Sequence, residues 1–396
     1  MTTELMEKAD QVIAKTYKRF PLVFSKGSGC LLYDTIGRSY TDFVAGIAVC
    51  NLGHAHPRIC QALTRQANDL WHVSNLYYTV PQIELANWLV EHSFADRIFF
   101  GNSGAEANEA AIKLARRYFK ERNEAHRFRI ITMEKSFHGR TMATLSATGQ
   151  DKIKKGFDPV LEGFDFIPFD DVGALQKQIG PSTCAVMIEP IQGEGGVRCP
   201  DSGYLKSVRK ICDDSGILLI LDEIQTGMGR TGKLFAYEHF GIEPDIMTLA
   251  KALANGLPIG AMLAKEDIAA AFGPGSHAST FGGTPIVTSA ALEVCKLLVD
   301  DQIIDQCRNI GTYFKEKLLE LKDRHNIVAD VRGMGLLLGM ELTIDGAAIV
   351  GECMQKGFLI NCIQENILRF VPPLIIKKDD IDALINCLDT AFKTSV

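Results

Sequence analysis

Three segments of this sequence carry residues whose types and order suit one piece of chemistry. In Leu221-Asp222-Glu223-Ile224-Gln225 an aspartate follows the wholly apolar run Gly216-Ile217-Leu218-Leu219-Ile220-Leu221. A carboxylate there is partly desolvated and needs a cationic or hydrogen-bonding partner. A protonated ring nitrogen is one such partner, and the pairing turns the ring into an electron sink. Taken alone, a helix N-cap is the commoner role for an aspartate after a strand, since structural carboxylates outnumber catalytic ones. In Thr248-Leu249-Ala250-Lys251-Ala252-Leu253 a lysine stands among apolar and small neighbours. A buried lysine loses its charge readily, can bond covalently to an aldehyde, and as a free amine can shuttle a proton. An ordinary lysine would snorkel to the surface, but its apolar neighbours weaken that reading. In Phe100-Gly101-Asn102-Ser103-Gly104-Ala105-Glu106 a strand-like run turns into a helix. Free N–H groups at a helix start bind phosphate, and Gly104 allows close backbone approach. Ser103 and Glu106 also have capping-box spacing, which is compatible with phosphate binding. Neither a P-loop nor a dinucleotide fingerprint is present.

These residues need elements that bring them to one edge. Arg97-Ile98-Phe99-Phe100, Cys184 to Ile188, Gly216 to Leu221 and Asp245 to Ala250 read as strands, separated by helical patterns such as Leu205 to Asp213. Such alternation predicts an α/β fold with a mainly parallel sheet wrapped by helices. Ligands in such sheets bind beyond the carboxyl ends of the strands. A long helical stretch runs from about Ile286 to Leu321, followed by a strand-like Gly335 to Met340 and a last amphipathic helix from about Asp379 to Phe392. The expected division is an N-terminal segment over 1–50 belonging to a small domain, a large cofactor-binding domain over 51–285, and a small C-terminal α/β domain over 286–396. With 46% hydrophobic and 23% charged residues the chain is neither disordered nor membrane-spanning. A formal net charge of -6, without a basic patch, argues against nucleic-acid binding. The eleven cysteines lack C-x-x-C pairs and metal-ligand spacing, so no metal is expected. They read as reduced thiols, and with no apolar leader at the N-terminus a cytoplasmic protein is expected. Phosphate turn, aspartate and lysine, each at a strand end, would surround one small phosphorylated ring such as pyridoxal 5′-phosphate (PLP).

The order of these motifs resembles the subgroup of fold-type I aminotransferases that includes acetylornithine, ornithine and 4-aminobutyrate aminotransferases. Further matches extend over nearly the whole chain. They are Asp42 to Val49, Gly53 to Pro57, Ser136 to Thr141, Glu189 to Gly196, Leu221 to Gly229, Ser279 to Gly283 and Leu368 to Pro373. The resemblance implies that PLP sits on Lys251, with Ser103, Gly104 and Ala105 at its phosphate. Phe137 would lie on its ring, Asp222 at its nitrogen and Gln225 at its hydroxyl. Thr280 would reach the phosphate of a neighbouring subunit, so a homodimer is expected. Arg140 would grip the α-carboxylate of the amino donor. Glu194 would cover Arg369 while the donor binds and release it for 2-oxoglutarate.

Within that subgroup the sequence is similar to the acetylornithine branch. The ornithine branch usually carries a tyrosine where Ile47 stands, and an apolar side chain cannot bond a free α-amino group. Tyr17 matches a donor-contacting tyrosine of the family. The reaction implied passes the δ-amino group of N2-acetyl-L-ornithine to 2-oxoglutarate, in arginine synthesis. Succinylornithine, ornithine or 4-aminobutyrate are alternative donors. A PLP aminomutase or racemase is a more distant alternative, against which the Glu194 and Arg369 pair argues. No nucleic acid or membrane partner is implied.

Overall fold

The computed structural model describes residues 2–394 and is built around a seven-stranded sheet. Its strands in chain order are β1 (Arg97–Gly101), β2 (Arg129–Met133), β3 (Phe164–Ile167), β4 (Thr183–Ile188), β5 (Leu218–Asp222), β6 (Ile246–Leu249) and β7 (Gly260–Ala264). Their spatial order is β1-β7-β6-β5-β4-β2-β3. Pairing is parallel from β6 through β5, β4 and β2 to β3. β7 runs antiparallel to both its neighbours. β1 therefore points the same way as β6, and the carboxyl ends of β1, β5 and β6 open on one edge.

Burial explains why these runs become strands. Every residue of β5 is buried, with Leu219 and Leu221 in one apolar cluster and Leu218 and Ile220 in another. Each such side chain contributes about 1.5–3 kcal/mol when taken from water. The helix Gly104–Glu121 packs on the second face through Ala110, Ala111, Leu114 and Ala115. Its alanines bring the helix close to the strands, within reach of its buried polar residue Asn108.

Two four-stranded sheets flank this core. In one, Phe24–Ser28, Leu31–Asp34 and Ser39–Asp42 pair antiparallel, and Phe358–Leu359 joins Ser39–Asp42 in parallel. In the other, Val328–Met334, Leu337–Leu342, Ile367–Phe370 and Asn361–Ile363 pair antiparallel.

The tail differs from its sequence pattern in two places. The long helical stretch is two helices, Pro285–Asp300 and Ile303–Arg324, separated at Gln302, whose φ is +56°. The first packs against helices Pro57–Asp69 and Val80–Glu91, the second against Val328–Met334 and the final helix Lys378–Thr394. One continuous helix could not serve both surfaces. The strand expected from Gly335 begins at Leu337. Gly335 has φ +56°, and a Cβ there would lie 2.4 Å from the backbone of Thr231. The tight turn at Gly335 is thus set by a long-range contact.

Candidate active site

Asp222 ends β5 and pairs in register with Thr248 of β6. Two residues beyond Leu249, the last residue of β6, Lys251 opens a short 3-10 turn, Lys251–Ala254, with φ +42°. The left-handed region is costly for a lysine, and such strain persists where surrounding structure fixes it. Lys251 and Asp222 line one cavity of about 470 Å³ together with Ser103, Gly104, Ala105 and Phe137. Lys251 keeps some surface open to that cavity, yet desolvation still lowers its ammonium pKa, with Glu194 and Asp222 opposing. A lowered pKa favours the neutral amine that proton transfer requires.

Ser103 caps the helix Gly104–Glu121, its Oγ accepting the Glu106 N–H at 3.2 Å. The Glu106 carboxylate turns back to the N–H of Asn102, one residue earlier than in a standard capping box. The first intrahelical bond runs from Ala107 N–H to Ser103. The amides of Gly104 and Ala105 therefore have no intrahelical partner. Gly104 lets Ile224 pack closely, since a Cβ there would lie 2.7 Å from the end of that side chain.

Asp222 sits at the centre of a buried network. Its Oδ2 accepts from Asn108 Nδ2 at 2.8 Å and contacts His138 Nδ1 at 2.7 Å, while Oδ1 accepts the Ile224 N–H at 3.1 Å. Asn108 is held in turn, its Nδ2 donating to the His138 carbonyl and its Oδ1 accepting from Thr248 Oγ1. Burial pulls the His138 pKa down, but the hydrogen bond and charge of Asp222 outweigh it and raise the value above the usual histidine range. Glu189 is buried beside them, its pKa pushed up to about 7 by desolvation, with His138 opposing and Asp222 reinforcing. It accepts the N–H groups of Phe137 and Gly193, at 3.1 and 3.3 Å, and so ties the two loops that wall the cavity. Asn108, His138 and Glu189 received no role from the sequence. The available signal was Asn108, a polar residue amid the helix's apolar stripe.

Arg369, on strand Ile367–Phe370, is fully buried, with Nη1 2.5 Å from Glu194 Oε1. Burial raises the Glu194 pKa, but Arg369, then Lys251 and Gln225, outweigh it and hold the carboxyl below its usual range. Gln225 joins this pair, donating to Glu194 at 3.2 Å and accepting from Arg369 at 3.4 Å. Its expected ring-hydroxyl contact therefore competes with its bonds to Glu194 and Arg369. Arg369 Nη2 is buried without a partner among the described residues. An orphaned guanidinium donor suits an incoming carboxylate. Arg140 is exposed at the cavity wall, 5.7 Å from the Phe137 ring centroid.

Two expected residues lie apart. Tyr17 is 75% exposed beside Arg19, away from the cavity lining. Thr280 lines a different surface groove with Ser74, Asn75 and Tyr78.

The residues present fit PLP. Unpaired first-turn amides suit its phosphate, an aromatic wall its ring, a carboxylate with spare acceptor capacity its nitrogen, and a deprotonatable amine its aldehyde. Among the described residues no His, Cys, Asp and Glu cluster could hold a metal ion, and no helix is long and apolar enough to cross a membrane.

The profile of the class-III aminotransferase family matches residues 12–392. An acetylornithine aminotransferase of Methanocaldococcus jannaschii is 52% identical over 380 residues, covering 95% of this chain and 94% of that protein. One from Thermosynechococcus vestitus is 50% identical over 393 residues, covering 96% and 95%. Among solved structures, the ornithine aminotransferase of Toxoplasma gondii superposes with a TM-score of 0.96 at 33% identity, covering 100% of this chain and 96% of that one. The acetylornithine aminotransferase of Elizabethkingia anophelis gives 0.89 at 30%, covering 99% of each.

Proposed function

The chain belongs to the class-III aminotransferase family, and from that premise we propose that it moves the δ-amino group of N2-acetyl-L-ornithine to 2-oxoglutarate. Its products are N-acetyl-L-glutamate 5-semialdehyde and L-glutamate, a step of arginine synthesis. It is a PLP-dependent fold-type I enzyme. The observation that carries the two-substrate reading is the Glu194 and Arg369 pair, in which Glu194 lines the Lys251 cavity and Arg369 is buried behind it. The acetylornithine assignment is supported by relatives of that name at about half identity and by Ile47, which offers no hydrogen bond to a free α-amino group.

When bound, PLP supplies an electrophilic carbon and an electron-withdrawing ring. Gly104 and Ala105 amides, with Ser103, would hold the phosphate. Phe137 would hold the ring, and Asp222 would keep a proton on the ring nitrogen. Gln225 would serve the ring hydroxyl. Lys251 Nζ would anchor the cofactor and, once freed, would move a proton between substrate carbon and cofactor within each half, off the donor's δ-carbon in the first and onto the α-carbon of the new glutamate in the second. Arg140 orients the donor by its α-carboxylate. Tyr17 reaches the donor only if its segment folds over the cavity. Glu194 covers Arg369 during the first half and swings away when 2-oxoglutarate presents its second carboxylate.

Homodimerisation with Thr280 serving the partner's phosphate site belongs to this proposal. It is supported by Thr280 facing outward and by an exposed apolar surface including Trp71, Leu76, Tyr77, Tyr78 and Phe281. The division at about residues 50 and 285 is likewise proposed, as is a cytoplasmic setting, for which the free cysteines speak.

The test is single-turnover bleaching of the cofactor band by acetylornithine, succinylornithine, ornithine and 4-aminobutyrate, without keto acid. Acetylornithine should react fastest. Faster reaction with free ornithine or 4-aminobutyrate overturns the donor assignment, and no bleaching by any donor returns the isomerase alternative. The gate has its own test in Glu194→Ala. Uncovering Arg369 should lower the half-saturating 2-oxoglutarate concentration about tenfold, roughly 1.4 kcal/mol. An unchanged value would mean a static salt bridge.

A further inference from the structure

Residues Ala45, Gly46, Ile47 and Ala48 have φ values of +49°, +65°, +69° and +58°. L-residues enter this region singly, not as successive residues of a turn, and a β-branched isoleucine there is an outlier. Gly46 alone has no Cβ to penalise it. The segment forms a left-handed turn that closes on itself. Ile47 and Ala48 N–H donate to the Val44 carbonyl at 2.8 and 3.0 Å, and Val49 and Cys50 N–H to the Ala45 carbonyl at 2.8 and 2.9 Å. The side chains Ala-Gly-Ile-Ala do not favour that conformation, so its cause lies outside the turn.

Asp42, buried to 1% exposure, supplies it at the entrance. Its Oδ1 accepts the N–H groups of both Val44 and Ala45 at 2.8 Å. Its Oδ2 lies 2.8 Å from His54 Nε2. The bond to Asp42 raises the His54 pKa to about 9, so the pair is charge-assisted at neutral pH. His54 is itself seated, exchanging backbone hydrogen bonds with Gly29 and packing so closely on Gly27 that a Cβ there would come within 2.6 Å. At the exit, Asn51 Nδ2 donates to the Met228 carbonyl and Leu52 N–H to Asn255 Oδ1, both 2.8 Å. Asn255 caps the turn that begins with Lys251.

The turn borders the reacting groups. Val49 lines the cavity. Ala48 shares a buried cluster with Ile191 and Val197, which flank Glu194. Ile47 remains 42% exposed. We propose that Asp42 and His54 are positioning residues for the amino donor, holding the left-handed turn so that Ile47 and Val49 form one wall of the donor's approach. This rests on the reading of the cavity as serving donor and keto acid in separate halves. A pair serving stability alone would leave that split untouched. Strain held by surrounding groups beside reacting groups is a recurring design.

His54→Gln and Asp42→Asn holoenzymes test it, each half-reaction being followed separately. The donor is whichever amine the unsubstituted enzyme uses best, so an error in naming the donor shows in that reference and not in the variants. The half-saturating donor concentration should rise about tenfold or more, since misplacement by an ångström can cost two decades. That for 2-oxoglutarate should stay within about twofold, and the cofactor band should persist. Equal losses in both halves, or an unaltered donor half, overturn the proposal. If Asp42→Asn does not fold, His54→Gln decides alone. Where it folds, adding Ala45→Gly should recover most of the loss, because glycine takes positive φ without a Cβ penalty. Failure to recover overturns the strain argument.

Discussion

Alanine at position 251 is expected to lower turnover by a factor on the order of 10⁵ while leaving PLP bound. The loss is large because two duties end together on the proposed assignment: covalent anchoring and proton transfer at the donor's δ-carbon. No other group lining the cavity takes over the second. Of the lining cations, the Arg140 guanidinium does not release a proton near neutrality, and His138 is held at 2.7 Å on Asp222 Oδ2. Glu189, though its pKa lies at about 7, has both oxygens engaged with backbone amides. Binding survives because the first-turn amides, Phe137 and Asp222 do not depend on the lysine. The measurement pairs turnover with retained cofactor absorbance after gel filtration. Full activity in Lys251→Ala would sink the assignment of the site, whereas loss of both activity and cofactor would make Lys251 chiefly a binding residue.

Legibility from sequence followed the range of the interaction that fixes each feature. β5 was readable because burial on both faces leaves the unbroken apolar run up to Leu221, and β6 because Thr248 alone interrupts its own. Asp222, Lys251 and Gly104 were readable because each stands at a local boundary between strand and turn. The break at Gln302 was not, since the helices on either side keep their apolar period and only the surfaces they meet differ. Strand Leu337–Leu342 was misplaced by two residues because Gly335 answers to the backbone of Thr231, about a hundred positions away. The network of Asn108, His138 and Thr248 was invisible for the same reason, because it joins three elements through side chains. Gln225 was given one partner by resemblance, whereas its position between Glu194 and Arg369 gives it two others. The left-handed turn at Ala45 to Ala48 has no composition that announces it, being imposed by Asp42 from outside.

Substituting Asp222→Asn is expected to reduce turnover about 10³-fold with far less effect on cofactor binding. The buried network makes this change sharper than its size suggests. Oδ2 faces Asn108 Nδ2 and His138 Nδ1, and Oδ1 faces the Ile224 N–H. An amide can present only one oxygen. Keeping it toward Asn108 and His138 places the new NH₂ near the Ile224 N–H and on the side left for the ring nitrogen. There it donates a hydrogen bond instead of receiving one, so the ring nitrogen binds as an acceptor, without its proton. The ring then keeps its place and loses its pull on electrons. The reverse orientation sets the NH₂ against Asn108, whose own oxygen already takes a bond from Thr248, so that a buried donor is left unmet at a cost of about 1–3 kcal/mol. Both orientations impair the site, the first through chemistry and the second through stability, and they separate experimentally. A holoenzyme with a wild-type melting midpoint, bound PLP and a thousandfold slower bleaching by the donor supports an electronic role for Asp222. Near-normal bleaching in a folded, loaded variant would reduce Asp222 to a structural role, holding the turn through the Ile224 N–H and the side chains of Asn108 and His138.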